Sequence, residues 1–181
     1  MESARGQLLI AGPTLRDPNF WRTVVLVVEH SDEGALGLVL NRPSESTVGD
    51  AVPELAGLVD DDDELLVGGP VGQSAVIVLA DFEDPDEAAL IAFDHVGVVG
   101  SGTLPDQLGV GLRQVRVFAG HSGWEPGQLD GELERGDWIL EPAQYADAFA
   151  QHPGELWAEV LCRKGGSYAL IARMPADPSM N

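Results

Sequence analysis

The stretch Gly120-His121-Ser122-Gly123-Trp124 places a serine beside a histidine between two glycines. A nucleophile elbow has the form Gly-x-Ser-x-Gly, with the serine thrust out at a sharp strand-to-helix turn. A strand, Val115 to Ala119, is expected ahead of it. The fifth position is Trp124, where close approach of the helix needs glycine, and no acid partner for His121 is indicated. The segment therefore reads more simply as a tight strand-to-helix turn with Trp124 packed under the following helix. A hydrolase using His121 and Ser122 is the alternative reading, and no residue is assigned as catalytic.

Other chemistries find less support. His30, His95, His121 and His152 are scattered, and no His-x-x-x-His, His-Glu-x-x-His or Cys-x-x-Cys spacing occurs, so no metal ligands are expected. Asp60 to Glu64 lacks the interleaved spacing and central glycine of a calcium loop and reads as a solvated connector. The cluster Asp81, Glu83, Asp84, Asp86 and Glu87 reads the same way. Gly68-Gly69-Pro70-Val71-Gly72 and Gly97 to Gly102 match neither a dinucleotide nor a phosphate loop, so no cofactor is expected. Gly-Gly-Pro after a strand is instead a bend where two backbones approach closely. Cys162, the single cysteine, rules out an internal disulfide, fits a reducing compartment, and as a lone helical thiol reads as a small core residue.

Two arginines bracket the clearest structural unit. Gln7 to Ala11 is a short apolar strand, Thr23 to His30 a strand covered on both faces, and Ala35 to Leu40 its returning partner after the turn Ser31-Asp32-Glu33-Gly34. Antiparallel pairing then brings Arg22 beside Asn41 and Arg42, a candidate anion-binding edge. The structural alternative, which residue statistics favour, is that each arginine pairs with a carboxylate such as Asp17 or Glu132. Glu29 and His30 are adjacent on a strand and point to opposite faces, so they cannot act as a catalytic pair.

Further along, Thr47 can cap a short helix from Val48 to Leu55, limited by Pro53. Strands are expected at Leu65 to Val67, Ala75 to Ala80, Phe93 to Val99, Gln114 to Ala119 and Asp137 to Glu141. Helices are expected at Pro126 to Arg135, with Leu129 and Leu133 on one face, at Ala143 to Ala150, and at Glu155 to Lys164 before Gly165-Gly166. No repeat or linker divides the 181 residues, so a single domain over 1–181 is expected.

Thirty acidic side chains against ten basic ones give a net charge of −20, a surface that repels phosphate backbones and attracts cationic partners. The helix near Pro126 to Arg135 carries Glu125, Asp130, Glu132 and Glu134 and is no basic recognition helix, so direct nucleic-acid binding is not expected. The longest apolar run, Val24 to Val28, is far short of the ~20 residues of a membrane helix. Neither a leader nor a membrane association is expected, and the location expected is the cytoplasm.

Several stretches, in order, resemble the AlgH/YqgE family of bacterial proteins. They are Gly6 to Ala11, Asp17-Pro18-Asn19-Phe20 with Arg22-Thr23-Val24-Val25, and Glu29-His30 with Gly34 and Gly37 to Pro43. Then come Gly68-Gly69-Pro70-Val71, Gly123-Trp124 with Gly127-Gln128-Leu129 and Glu132, Trp138, and the tail Asp177-Pro178-Ser179 with Asn181. The resemblance spans essentially the whole chain. It implies an α+β fold: a bent, bifurcated, mainly antiparallel sheet curled into a pseudo-barrel, flanked by helices mostly from the C-terminal half. It implies no catalytic residues, cofactor or ligand; the family is associated with regulation of exopolysaccharide production and described as regulating transcription. The chain departs from the family pattern at Gly120-His121-Ser122-Gly123-Trp124, where a typical member has Gly-Tyr-Ala-Gly-Trp, and at Asp130, where glutamate is usual. The functional expectation is a non-enzymatic binding or regulatory protein acting through a protein partner or a small anionic ligand. Its expected surface is formed by Arg22, Asn41, Arg42, His121, Trp124, Gln128 and Glu132.

Overall fold

The apolar residues Val24 to Val28 are all fully buried in the computed structural model, which describes residues 2–55, 57–60, 62–101 and 111–176. They belong to β2 (Val24–Ser31), and successive strand side chains point to opposite faces. Val24, Leu26 and Val28 therefore enter one core, while Val25 and Val27 enter another across the sheet. The antiparallel neighbours β1 (Gln7–Ala11) and β3 (Gly34–Val39) divide their side chains likewise. Leu8, Ile10 and Leu38 go to the first core, and Leu9, Ala11 and Val39 to the second. Burial on both faces is why β2 reads as an unbroken apolar run rather than an alternation.

Seven more strands complete the sheet: β4 (Pro43–Thr47), β5 (Glu64–Val67), β6 (Val71–Phe82), β7 (Leu90–Phe93), β8 (Val96–Val98), β9 (Leu112–Trp124) and β10 (Trp138–Pro142). The main path runs β10-β1-β2-β3-β9-β6-β8-β7. The fork is β9. One edge pairs with β6 from Phe82↔Leu112 to Val71↔His121. The other is shared by β3, at Ala35↔Trp124 to Gly37↔Ser122, and by β5, parallel at Leu66↔Phe118 and Val67↔Ala119. β4 then pairs outside β5. Arg5 Nε donates to the Ile91 carbonyl at 2.6 Å, so the curl brings the chain entering β1 beside β7. The sheet is curled but not closed into a barrel, since β10 and β7 end the path unpaired with each other.

Five helices lie among the described residues: α1 (Val48–Ala51), α2 (Gln128–Arg135), α3 (Tyr145–Ala148), α4 (Leu156–Lys164) and α5 (Ser167–Ile171). Four of them fall in the C-terminal half, and the fold is α+β. Thr47 caps α1, its hydroxyl accepting from the Asp50 amide. α1 stops at once because a residue before proline, here Val52, is pushed out of helical geometry. A single 3₁₀ turn, Pro53–Leu55, follows. α4 sets Leu156, Trp157, Val160 and Leu161 on the first core; α2 sets Leu129 on the second. Val48, Leu55, Leu65, Val78 and Val117 form a third, smaller core.

The structure corrects several sequence expectations. Phe93 to Val99 is not one strand but the hairpin of β7 and β8, turning at Asp94 with φ 47°, a conformation aspartate tolerates. Gly120 to Trp124 is not a turn: it continues β9, because β6 and β3 pair with it on opposite edges, and the turn falls at Glu125 to Gly127. The helix α5 beyond Gly165-Gly166 was not expected. Cys162 is exposed rather than buried, since Val160 and Leu161 take the inner face of α4. Asp81 is 6% exposed rather than solvated, its carboxylate gripped by both Arg113 Nε and Nη2 at 3.0 and 2.7 Å. The Gly68-Gly69 bend is a close backbone approach: a Cβ on either would strike the Gly120 or His121 carbonyl. Asp61, Gly102 and the tail residues 177–181 lie outside the described residues.

Candidate functional site

Trp124 ends β9, Glu132 lies on α2 and Trp138 begins β10, and the short connections between these elements bring the three together. Glu132 Oε2 accepts from Trp124 Nε1 at 2.9 Å and Trp138 Nε1 at 2.8 Å, while Oε1 accepts from Gln128 Nε2 at 3.1 Å. Gln128 Oε1 in turn accepts from the Glu125 amide, which fixes the turn into α2. Phe20 packs on both indoles, at ring centroid distances of 6.2 and 5.6 Å. Both tryptophans are nearly buried, and Gly37 leaves room for Trp124, since a Cβ there would press on Val25 and on the Trp124 ring. Trp124, Gln128 and Glu132 are thus gathered into one network whose polar groups satisfy one another. Its chemistry is positional: a carboxylate ties strand, helix and strand.

Asn41 and the two arginines meet where β2 and β3 end. Asn41 Oδ1 accepts from the Val24 amide at 2.9 Å and Nδ2 donates to the Arg22 carbonyl at 2.8 Å, so the side chain extends the strand ladder. Arg42 donates to the carbonyls of Pro18, Asn19 and Trp21 at 3.0, 2.5 and 3.2 Å. Its guanidinium thus holds the loop that delivers Phe20 to the two indoles. Burial lowers the Arg42 pKa and Asp17 opposes that shift. Among the described residues, neither arginine forms a salt bridge with a carboxylate of the kind the residue types suggested. Backbone carbonyls of a tight loop converge on Arg42 instead, and Arg22 Nη2 donates to the Met174 carbonyl at 2.6 Å.

Arg22 faces elsewhere. It is held at φ 52°, a left-handed conformation that costs a non-glycine residue about 1–2 kcal/mol. Its guanidinium carbon sits 4.5 Å from the Trp157 ring centroid and 5.1 Å from that of Trp21. Trp157 is anchored by its own N–H on the Ala11 carbonyl. Together these side chains line a groove of about 550 Å³ with Arg16, Pro18 and Met174. Among the described residues the lining holds two arginines and no acid, in a chain where acids outnumber bases three to one. Trp21 is 42% exposed at its rim.

His121 is half-buried with its ring beside Gly72, on the strand face opposite Trp124 and apart from the other candidates. Ser122 is fully buried and its hydroxyl donates to the Gly68 carbonyl at 3.2 Å. Strand geometry and this bond place the hydroxyl inside the sheet fork rather than at an exposed turn. His30 accepts from the Ala4 amide through Nδ1 and sets Nε2 3.3 Å from Asp130, while Glu29 is exposed. Among the described residues, no group of three or more His, Cys, Asp or Glu side chains is arranged to hold a metal ion.

Sequence reasoning placed Arg22 near Asn41 but missed Arg16, Trp21 and Trp157, which complete the groove. Only the clustering of Arg16, Trp21 and Arg22 within seven residues hinted at it, and nothing local pointed to Trp157, 135 positions on. Arg116, inside the apolar strand run Val115 to Phe118, was also overlooked, although a charge at such a position is itself a signal.

The family model described as AlgH-like matches residues 8–169. A UPF0301 protein of Thermobifida fusca (strain YX) is 43% identical over 99% of this chain and 96% of its own. One from Streptomyces coelicolor is 38% identical over 100% and 97%. A crystal structure of a Corynebacterium diphtheriae protein superimposes with a TM-score of 0.86 at 30% identity, covering 96% of this chain and 94% of that one. The solution structure of the AlgH protein from Pseudomonas aeruginosa gives 0.71 at 28% identity, over 97% and 96%. Motifs, topology and whole-length similarity agree: the chain belongs to the AlgH-like family.

Proposed function

We propose that this protein is a non-enzymatic regulatory domain that binds a small organic anion in the groove of Arg16, Trp21, Arg22 and Trp157. The observation that carries the reading is the charge of that lining, two arginines and, among the described residues, no acid, in a chain that is otherwise strongly acidic. Arg22 supports it further, because strained backbone concentrates at functional positions. A carboxylate or phosphate would meet N–H groups at the edges of the two guanidiniums, and a flat apolar body would stack on the exposed indole of Trp21. The net charge of −20 opposes direct contact with DNA, so regulation would run through the ligand or a protein partner. Action in the cytoplasm fits the single cysteine. No helix among the described residues is long and apolar enough to cross a membrane.

A thermal-shift screen with aromatic carboxylates and aryl phosphates tests this reading. A ligand at a hundred times its dissociation constant adds about 2.7 kcal/mol. A midpoint rise in the parent chain that is absent in Arg22→Gly supports it. A flat response across the panel, or an equal rise in Arg22→Gly, refutes it.

A further inference from the structure

A second cavity, of about 400 Å³, opens where β5 leaves the edge of β9. Val48 and Val59 give it an apolar side, and Phe149 and Pro153 border it from the segment joining α3 to α4. Its volume lies in the ordinary range for small-molecule sites. Arg116 projects into it from β9, and its Nη1 is buried with no hydrogen-bond partner among the described residues. No salt bridge reaches this guanidinium among the described residues, although the chain has three acids for every base. Burial lowers the Arg116 pKa, and Asp63 and Glu64 oppose that shift from a distance.

An unpaired buried guanidinium N–H is costly, so it seeks an acceptor, best a carboxylate bound through two N–H groups. The same cavity, however, is also lined by Asp62, Asp63 and Glu64, which would repel a bare polyanion. A ligand that carries both signs satisfies the arginine and the acids together. Gln114 and Gln151 add neutral amides able to orient it.

We infer that this cavity binds a small zwitterion, an amino acid by chemical class, with its carboxylate on Arg116 and its ammonium toward Asp62, Asp63 and Glu64. The apolar wall of Val48, Val59 and Phe149 takes the side chain and favours an aliphatic one. This site is separate from the arginine–tryptophan groove and stands whether or not that groove binds an anion.

Calorimetric titration of the full chain with free L-amino acids, one at a time, tests the assignment. L-leucine is compared with isocaproate, which lacks the ammonium, and with isoamylamine, which lacks the carboxylate. Binding of an aliphatic amino acid is expected, with both analogues weaker by about tenfold or more. Arg116→Gln should lose roughly tenfold to a hundredfold in affinity, while Arg22→Gly binds as the parent does. Binding by no amino acid, isocaproate binding as well as leucine, or an unchanged Arg116→Gln would each overturn the assignment. Stability gives an independent check. Arg116→Met removes a guanidinium whose buried Nη1 has no partner among the described residues, and should melt at or above the parent temperature in the absence of ligand. Melting well below it would show that Arg116 is already satisfied within the fold, and the assignment would fail.

Discussion

Trp124 and Trp138 point their indole N–H groups at the same atom, Oε2 of Glu132, at 2.9 and 2.8 Å. One carboxylate thereby fastens the end of β9, the body of α2 and the start of β10. With both rings nearly buried, removing the acceptor strands two donors, each costing about 1–3 kcal/mol. Glu132→Ala is expected to lower unfolding stability by about 2–5 kcal/mol. Glu132→Gln, which retains an oxygen acceptor, should lose less. Urea denaturation followed by tryptophan fluorescence measures both, and a Glu132→Ala value within about 0.5 kcal/mol of the parent would refute the role.

Arg42 acts on the same network from the other side. By holding the carbonyls of Pro18, Asn19 and Trp21 it sets the loop from which Phe20 reaches the two indoles. Arg42→Ala and Phe20→Ala should therefore be non-additive, with a coupling of about 0.5–3 kcal/mol in a double-mutant cycle. Strict additivity would show that loop and aromatic cluster are independent.

Acid should expose the pair of Asp81 and Arg113. The hydrogen bond from Arg113 holds the Asp81 carboxyl below its ordinary 3.8, against the opposing effect of burial. The folded chain thus takes up this proton less readily than the unfolded one. The contribution is complete above about pH 4 and is lost as pH falls through the depressed folded value. The stability gap between the parent and Asp81→Asn should shrink steadily as pH falls from 6 to 3 and below. A gap that stays constant across that range would contradict the ion pair.

Asp147 is 3% exposed and accepts from both Nη atoms of Arg163 at 2.8 Å, while also accepting from the Gln144 amide that starts α3. It clips α3 to α4. Asp147→Asn leaves a partly exposed guanidinium without its counter-charge and is expected to cost about 1–3 kcal/mol. Replacing both partners together, Asp147→Leu with Arg163→Met, should recover part of that loss. A double variant worse than the sum of its singles would show that the charges themselves are required.

The hairpin of β2 and β3, the Thr47 cap, the leucine stripe of α2, the inner face of α4 and the Gly68-Gly69 bend were all legible along the chain. Each depends on neighbours within a few residues: side-chain period, a cap three positions away, a backbone that lacks Cβ. The proximity of Arg22 to Asn41 was legible too, since hairpin pairing dictates it. What became of those side chains was not. Arg42 and Arg22 read as an anion-binding edge or as partners for carboxylates, yet they donate to the carbonyls of a loop and of Met174. Gly120 to Trp124 reads as a turn, yet β3, pairing at Ala35↔Trp124, and β6, pairing at Val71↔His121, keep it extended. The groove joins Trp21 to Trp157, and the cavity joins Arg116 to Asp63 and Phe149. Local spacing sets the shape of each element because the forces involved act within a turn or two. A polar side chain takes whatever partner the closed fold brings within about 3 Å, and these partners lie tens of residues away, where only the tertiary structure decides.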